Sequence, residues 1–539
     1  MNLHRLADAL AQRGIRFETS GFDDYLADES RMQGYAYGIV RPRDERDVIA
    51  TVRAANLFNV HLTVVSGKTS LTGACVPQGG IIVDLRQLNR IDPDDPTVAG
   101  PGVVTAHYRR HVESRGCFFP PDPTSEDSCT LGGNTACCAS GALSYYYGPI
   151  RDYIRGLRVV LGSGAVLDVE RGDIVARDGV LVVPGKMLSP EAPHDLVIPV
   201  PLLNQPRRRD VKNAAGPFSD PSMDLVDLFV GSEGIFGIVI DVRTILLPRR
   251  KPAFALSLYL RNPEVTVELV SLLDNLRRCF HAHETHLLPE VRSAFERLAG
   301  GGPPPEISRF EELVPSCMEW LGSSTARFIS SDRARPLKQS YGCLYVEQEY
   351  PVGADPWDYA SLWWELTELF NRRYGSDAPT AAIVTEAAMD EKKMRDLRRD
   401  RRSVPERINE AITPGMVKVG TDFSVPMPRL KELLELYDET LRGIDTYAFG
   451  HIGNAHLHVN MLPGDEEELE HCRTTYQLLA ERICAMEGSV SAEHGIGKLK
   501  RKLLEMMIGE VGMLDIARVK RVTDPNGLLN RDTMIPAQR

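Results

Sequence analysis

Four turns dense in glycine and other small residues constrain this chain more than any other feature. They are VVSGKTSLTGACVP (64–77), FPPDPTSEDSCTLGGNTACCASGALSYYYGPIRDY (119–153), VGSEGIFGIVIDV (230–242) and FGHIGNAHLHVNMLP (449–463). Glycine reaches backbone conformations closed to other residues, and small side chains let a flat ligand lie against the main chain. Small residues this dense imply something large packed on them.

The flanking sequence sets the fold class. IIVDL (81–85), LRVVLGSGAVLDV (157–169) and GIVIDVRTILLP (237–248) are β-branched runs bounded by Gly, Pro or Asp, as buried strands are. Residues 185–222 carry seven prolines and the run RRRDVKN, which reads as a lid-like loop or an insertion. The pattern breaks at LLPRRKPAF (246–254). Beyond it, amphipathic helices such as VTVELVSLLDNLRRCF (265–280) alternate with strands such as LSLYL and CLYVEQEY. The expectation is an α+β protein of three segments, 1–250, 251–445 and 446–539, the last packing back onto the other two. A length of 539 residues suits that division.

Composition removes several function classes. Sixty-three Lys and Arg against 74 Asp and Glu give a net charge of −11, which argues against a nucleic-acid partner. No stretch approaches eighteen apolar residues, and MNLHRLADALAQRG reads as a charged amphipathic helix rather than a signal peptide. The chain is read as cytoplasmic, with peripheral attachment to a membrane left open. Ten cysteines contain no C-x-x-C spacing, which excludes zinc ribbons, thioredoxin-like pairs and ferredoxin-type clusters and leaves reduced thiols. There is no fixed-period repeat.

The turns themselves suggest chemistry. Ser66, Gly67, Lys68, Thr69 and Ser70 place hydroxyls and backbone N–H groups in one tight loop, a nest for a pyrophosphate. Neither a G-x-x-x-x-G-K-[ST] loop nor a G-x-G-x-x-G between strand and helix is present, so Walker and Rossmann sites have no support. In 449–463, His451 and His458 flank a glycine turn, and His456, His458 and Asn460 alternate on one face of a strand. GSVSAEHGIG (488–497) adds Glu493 and His494. Two histidines and a carboxylate suit a catalytic divalent metal. LRRDRRSVPERINEAI (397–412) is a basic helical stretch, and HAHETH (281–286) is read as a surface cluster.

Together these motifs resemble the FAD-linked 2-hydroxy acid dehydrogenases of the vanillyl-alcohol oxidase superfamily, with a PCMH-type FAD-binding domain of two subdomains and a substrate cap. The branch includes D-lactate dehydrogenase, the glycolate oxidase flavoprotein subunit and D-2-hydroxyglutarate dehydrogenase. The resemblance implies that Ser66–Ser70 and Gly73 hold the FAD pyrophosphate, while Pro121, Asp122, Gly132, Gly133, Ala139, Ser140, Gly141, Glu233, Gly234, Ile238 and Asn530 run along the cofactor. It implies His451, His458 and Glu493 as ligands of Zn or Mn, Asn460 as a substrate contact and His494 as the base. His456 stands where the family has asparagine and is taken as a partner behind the ligands.

Arg401, ahead of Pro405, is the implied carboxylate clamp, with Arg398 and Arg402 as alternatives. Lys418 lies two residues from the position, Gly420, where the hydroxyglutarate branch has a lysine. The implied activity is FAD-dependent oxidation of a D-lactate-like 2-hydroxy acid, with electrons passed to a separate quinone, electron-transfer flavoprotein, cytochrome or iron–sulfur protein. A homodimer is left open. The rival readings are an oxidase or ether-lipid synthase of the same superfamily, a flavin subunit of a larger complex, and a non-enzymatic zinc module.

Overall fold

The buried strand expected at IIVDL forms the centre of a parallel core, because its valine and isoleucines can be buried on both faces. In the computed structural model, which describes residues 3–188, 194–205, 210–282, 288–329, 332–375 and 381–537, Ile81–Asp84 is flanked in parallel by Ile39–Val40 and Leu62–Val65. Phe17–Glu18 closes one edge antiparallel. Helices Leu3–Ala11 and Glu45–Phe58 contribute Leu6, Leu10, Val48 and Val52 to a core with Val40, Leu62, Ile81 and Val83. Asp44 caps the second helix by accepting from the Asp47 N–H at 3.0 Å.

The run 157–169 folds as a hairpin of Ile154–Val160 and Val166–Glu170. It pairs antiparallel with Ile238–Thr244, which in turn meets Val98–Ala99. The mixed α+β class follows, as expected.

An eight-stranded antiparallel sheet holds the second half, with the strands Ile383–Ala388, Ala253–Leu260, Gly342–Glu349, Pro315–Gly322, Thr446–Gly450, His456–Met461 and Val419–Gly420 in that spatial order. Phe423–Ser424 also pairs with His456–Met461. Helices Pro263–Ala282 and Pro356–Tyr374 bury Leu269, Leu273, Leu276, Trp363, Leu366 and Phe370 in the main core. Helix Glu391–Glu410 contains Pro405, which has no N–H to give the carbonyl of Arg401 one turn back.

Residues 207–209 of the basic run and 283–286 of HAHETH lie outside the described residues. His281 packs its ring 4.8 Å from Tyr146. All ten cysteines are free thiols. Among the described residues, no helix is long and apolar enough to cross a membrane.

Leu344 is fully buried in the middle of the large sheet, whereas Val384 on the edge strand is half exposed. Leu344→Ala is expected to cost about 2–5 kcal/mol, and Val384→Ala roughly 0.5 kcal/mol or less. Denaturant midpoints of the two variants against the parent measure the difference.

Candidate active site

The four small-residue turns meet at one place. After strand Leu62–Val65 the chain enters the first of them, where Ser66 Oγ lies 2.7 Å from Thr130 Oγ1. Ser70 Oγ accepts from the N–H groups of Thr72 and Ala74, each at 3.2 Å. Among the described residues, no group takes the N–H donors of 67–70, so the loop keeps the anion-binding character expected of it. Lys68 adopts φ 58° and sends its ammonium to the Asp24 carbonyl oxygen at 2.7 Å. Its side chain is therefore directed at the protein.

Thr130 starts helix Leu131–Cys137 and accepts from the Gly133 N–H at 3.3 Å, while Gly132 packs on Pro101. The chain then passes Ala139 and Ser140 to Gly141. A Cβ at Gly141 would sit 2.3 Å from the Asp122 carbonyl oxygen, so only glycine fits. Asp122, beside Pro121, accepts from the Leu143 N–H at 3.0 Å. Burial pushes its carboxyl up.

Glu233 and Asn530 fasten these turns together. The Glu233 carboxylate accepts from the N–H groups of Ile496 and Gly497 at 2.6 and 2.7 Å. Burial raises that carboxyl to about 7. Asn530 Oδ1 accepts from the Val64 N–H at 2.8 Å, and its Nδ2 donates to the Glu233 carbonyl at 2.7 Å. A Cβ at Gly234 would meet that same Nδ2 at 2.6 Å, and Ile238 is buried at the start of its strand. The Lys498 N–H donates to the Thr72 carbonyl at 2.9 Å. The 493–497 turn is thus tied to both the 66–73 and the 231–237 turns.

Glu493 occupies the junction. His458 Nε2 lies 2.9 Å from its Oε1, and His451 Nε2 lies 3.1 Å from its Oε2. Lys212 Nζ is 2.7 Å and Ser140 Oγ 3.3 Å from Oε2. Burial pushes the Glu493 carboxyl up, but Lys212 and His451 outweigh it and hold the group well below its ordinary range.

The far nitrogens of both histidines are occupied. His451 Nδ1 is 2.5 Å from Glu319 Oε1, and His458 Nδ1 is 3.3 Å from the Thr421 carbonyl. One nitrogen oriented by a carboxylate or carbonyl and the other presented to a shared carboxylate is the arrangement metal-ligating imidazoles need. Among the described residues, His451, His456, His458 and Glu493 bring one donor atom each within 4.8 Å of one another. These residues fit a divalent ion. Burial lowers His451, but Glu319 outweighs it and raises the imidazole to about 9, so an entering ion would displace a proton there.

His494 stacks on His458 with ring centres 5.1 Å apart. Its Nδ1 is 3.5 Å from Asp422 Oδ2 and its Nε2 is 3.7 Å from Glu493 Oε1. Burial holds His494 down at about 4. Asp422 is fixed by Lys500 at 2.9 Å, by the Ser491 hydroxyl at 2.7 Å and by the His494 N–H at 3.0 Å. Asn460 is buried and pairs with Gly420 across the sheet.

Arg401 reaches the cluster through Glu319, donating to its Oε2 at 2.7 Å. Burial pushes Glu319 up, yet His451 and Arg401 outweigh it and bring the carboxyl to about 2. Arg398 is committed to Glu347 by two bonds of 2.7 Å, and Arg402 bonds Glu126 at 3.0 Å. Nε of Arg401 is buried without a partner. A cavity of about 610 Å³ opens beside it, lined by eight basic and four acidic side chains, among them Arg109, Arg250, Arg398 and Asp122.

Glu319, Asp422, Lys212 and Lys500 were not singled out from the sequence. Glu319 had a readable signal as a lone charge in the apolar strand PSCMEWLG, and Asp422 sits in the quoted KVGTDFSVP. Nothing in the sequence pointed to Lys212 or Lys500.

Residues 36–170 match the FAD binding domain family, and residues 311–534 match the C-terminal domain of FAD linked oxidases. The chain is 26% identical over 503 residues to D-2-hydroxyglutarate dehydrogenase of Stutzerimonas stutzeri, covering 91% of this chain and 89% of that protein. It is 22% identical over 509 residues to the mitochondrial D-lactate dehydrogenase [cytochrome] of Arabidopsis thaliana, covering 92% and 73%. Its fold superposes on substrate-bound p-cresol methylhydroxylase with a TM-score of 0.63 at 14% identity, over 99% of this chain and 96% of that one.

Because the Asp122 carbonyl oxygen leaves no space for a Cβ at Gly141, Gly141→Ala is expected to displace the 139–143 turn. The purified variant should carry flavin at a ratio well below the parent's. The ratio of flavin to protein absorbance reads this directly.

Proposed function

From the premise that the chain belongs to the FAD-linked oxidases, we propose that it oxidises a D-2-hydroxy acid of the D-lactate type to the 2-oxo acid. The observation that carries the reading is the contact of Glu493 with both His451 and His458 on one side and with Ser140 of the FAD-domain turn on the other. Proton-handling groups are thereby placed against the segment assigned to the flavin.

The turns at 66–73, 121–141, 233–238 and 530 would hold FAD, which would supply a two-electron acceptor for the hydride on the substrate's α-carbon. A divalent ion held by His451, His458 and Glu493 would lower the pKa of the substrate hydroxyl. Arg401 receives the substrate carboxylate through the edge that carries its unpartnered Nε, while Glu319 fixes the guanidinium from the other side. The basic cavity beside it draws an anionic substrate inward.

His494 is the base. Its Nδ1 edge faces Asp422, which leaves Nε2 to take the hydroxyl proton, and burial keeps the ring neutral beforehand. The substrate gives up one proton to His494 and one hydride to the flavin as its C–O bond becomes a carbonyl. Asn460 holds the hydroxy acid in position. A separate acceptor protein or quinone would take up the two electrons.

A dicarboxylate is a second reading, favoured by Lys418. Burial and the neighbouring charge of Arg31 lower its ammonium to about 8, which marks two cations close together at the end of the strand facing Asn460. A distal carboxylate would relieve both.

Anaerobic mixing of the flavoprotein with D- and L-2-hydroxy acids tests the assignment. The visible flavin band should bleach with D-lactate or D-2-hydroxyglutarate and stay unchanged with the L-isomers. Bleaching by L-isomers alone overturns the stereochemistry, and faster bleaching by the D-dicarboxylate selects the second reading. His494→Ala should retain flavin yet slow its reduction by about 10²–10⁴-fold, followed by stopped-flow absorbance. A parent-like rate would remove His494 as the base.

A further inference from the structure

His456 is fully buried, and among the described residues its Nδ1 has no hydrogen-bond partner. Nε2 lies 3.1 Å from Asp422 Oδ1 but is not aligned to bond with it. That carboxylate is already held by Lys500, by Ser491 and by the N–H groups of Glu493 and His494. A buried polar atom left unsatisfied costs about 1–3 kcal/mol, so the unpartnered Nδ1 of this imidazole marks a place where a partner belongs.

The neighbours supply that partner's other bonds. The His456 ring lies 4.5 Å from that of His458 and 5.3 Å from that of His451. The four donor atoms of His451, His456, His458 and Glu493 all fall within 4.8 Å of one another. Four donors on one tetrahedral ion with bonds of roughly 2.0–2.1 Å stand about 3.3–3.4 Å apart, so side-chain shifts of about 1 Å close the set. Asp422, His458, Glu493 and His494 form a second such grouping. It shares two residues with the first, and its Asp422 is consumed by other bonds, so one ion accounts for both.

We propose that His456 is a fourth protein ligand, making a site of three imidazoles and one carboxylate that selects zinc over manganese, with the substrate hydroxyl entering as a fifth donor. Three nitrogen donors suit zinc, whereas manganese is better served by carboxylates, carbonyls and water. The proposal deepens the metal reading of His451, His458 and Glu493 and rests on it. His456 thereby moves from behind the ligands into their ring.

The test uses the full-length flavoprotein, stripped with a chelator and reloaded with Zn²⁺ or Co²⁺. X-ray absorption at the zinc edge of the parent should count three imidazoles. A count of two overturns the fourth ligand while leaving the metal site standing. Parent protein that takes up no stoichiometric ion overturns the metal reading and this inference together.

In His456→Asn and His456→Gln, competition with a chromophoric chelator should show zinc affinity falling by more than the roughly 10–100-fold that loss of an outer partner costs. The preference for zinc over manganese should narrow, and the cobalt absorption bands should change, at unchanged flavin content. Parent-like affinity and cobalt bands in both variants contradict the proposal.

Discussion

Every part of this molecule is organised around one buried carboxylate. Removing Glu493 from water is costly unless the charge is met by close partners. Here they come from three separate stretches of chain: Lys212 from the proline-rich excursion, Ser140 from the second small-residue turn, and His451 and His458 from the segment 449–463 at the large sheet. No local segment could assemble that set. The carboxylate therefore records the docking of the FAD-binding half on the sheet as much as it equips a site.

The rest of the architecture holds those partners still. Strands Thr446–Gly450 and His456–Met461 are paired inside an eight-stranded sheet, which fixes the spacing of the imidazoles. Asn530 and Glu233 close the opposite side by side-chain bonds to backbone groups, which ties the turn bearing Glu493 and His494 to the turns at 64–73 and 231–237. Glu319 joins Arg401 to His451 with a single carboxylate, and through it the proposed substrate clamp and the proposed metal ligand share one orientation.

What was legible in the sequence was what depends on local backbone. The small-residue turns, the alternation of His456, His458 and Asn460, the helix at 265–280 and the strand character of 157–169 all appear in the structure. Lys212 lies 281 residues from the carboxylate it bonds, and Glu319 lies 132 from His451. Such pairs are set by tertiary packing, and one sequence carries no mark of them. Lys68 shows the converse. Its composition suggested a charge for a phosphate, but the left-handed turn it occupies directs the ammonium to Asp24 instead.

The most direct measurement is made on Glu493→Gln. That change keeps the shape of the side chain while removing the charge that His451, His458 and Lys212 surround. The account predicts a protein that still carries flavin, with its visible spectrum intact, but whose flavin is not reduced by any D-2-hydroxy acid that bleaches the parent. A variant reduced at the parent's rate would contradict it.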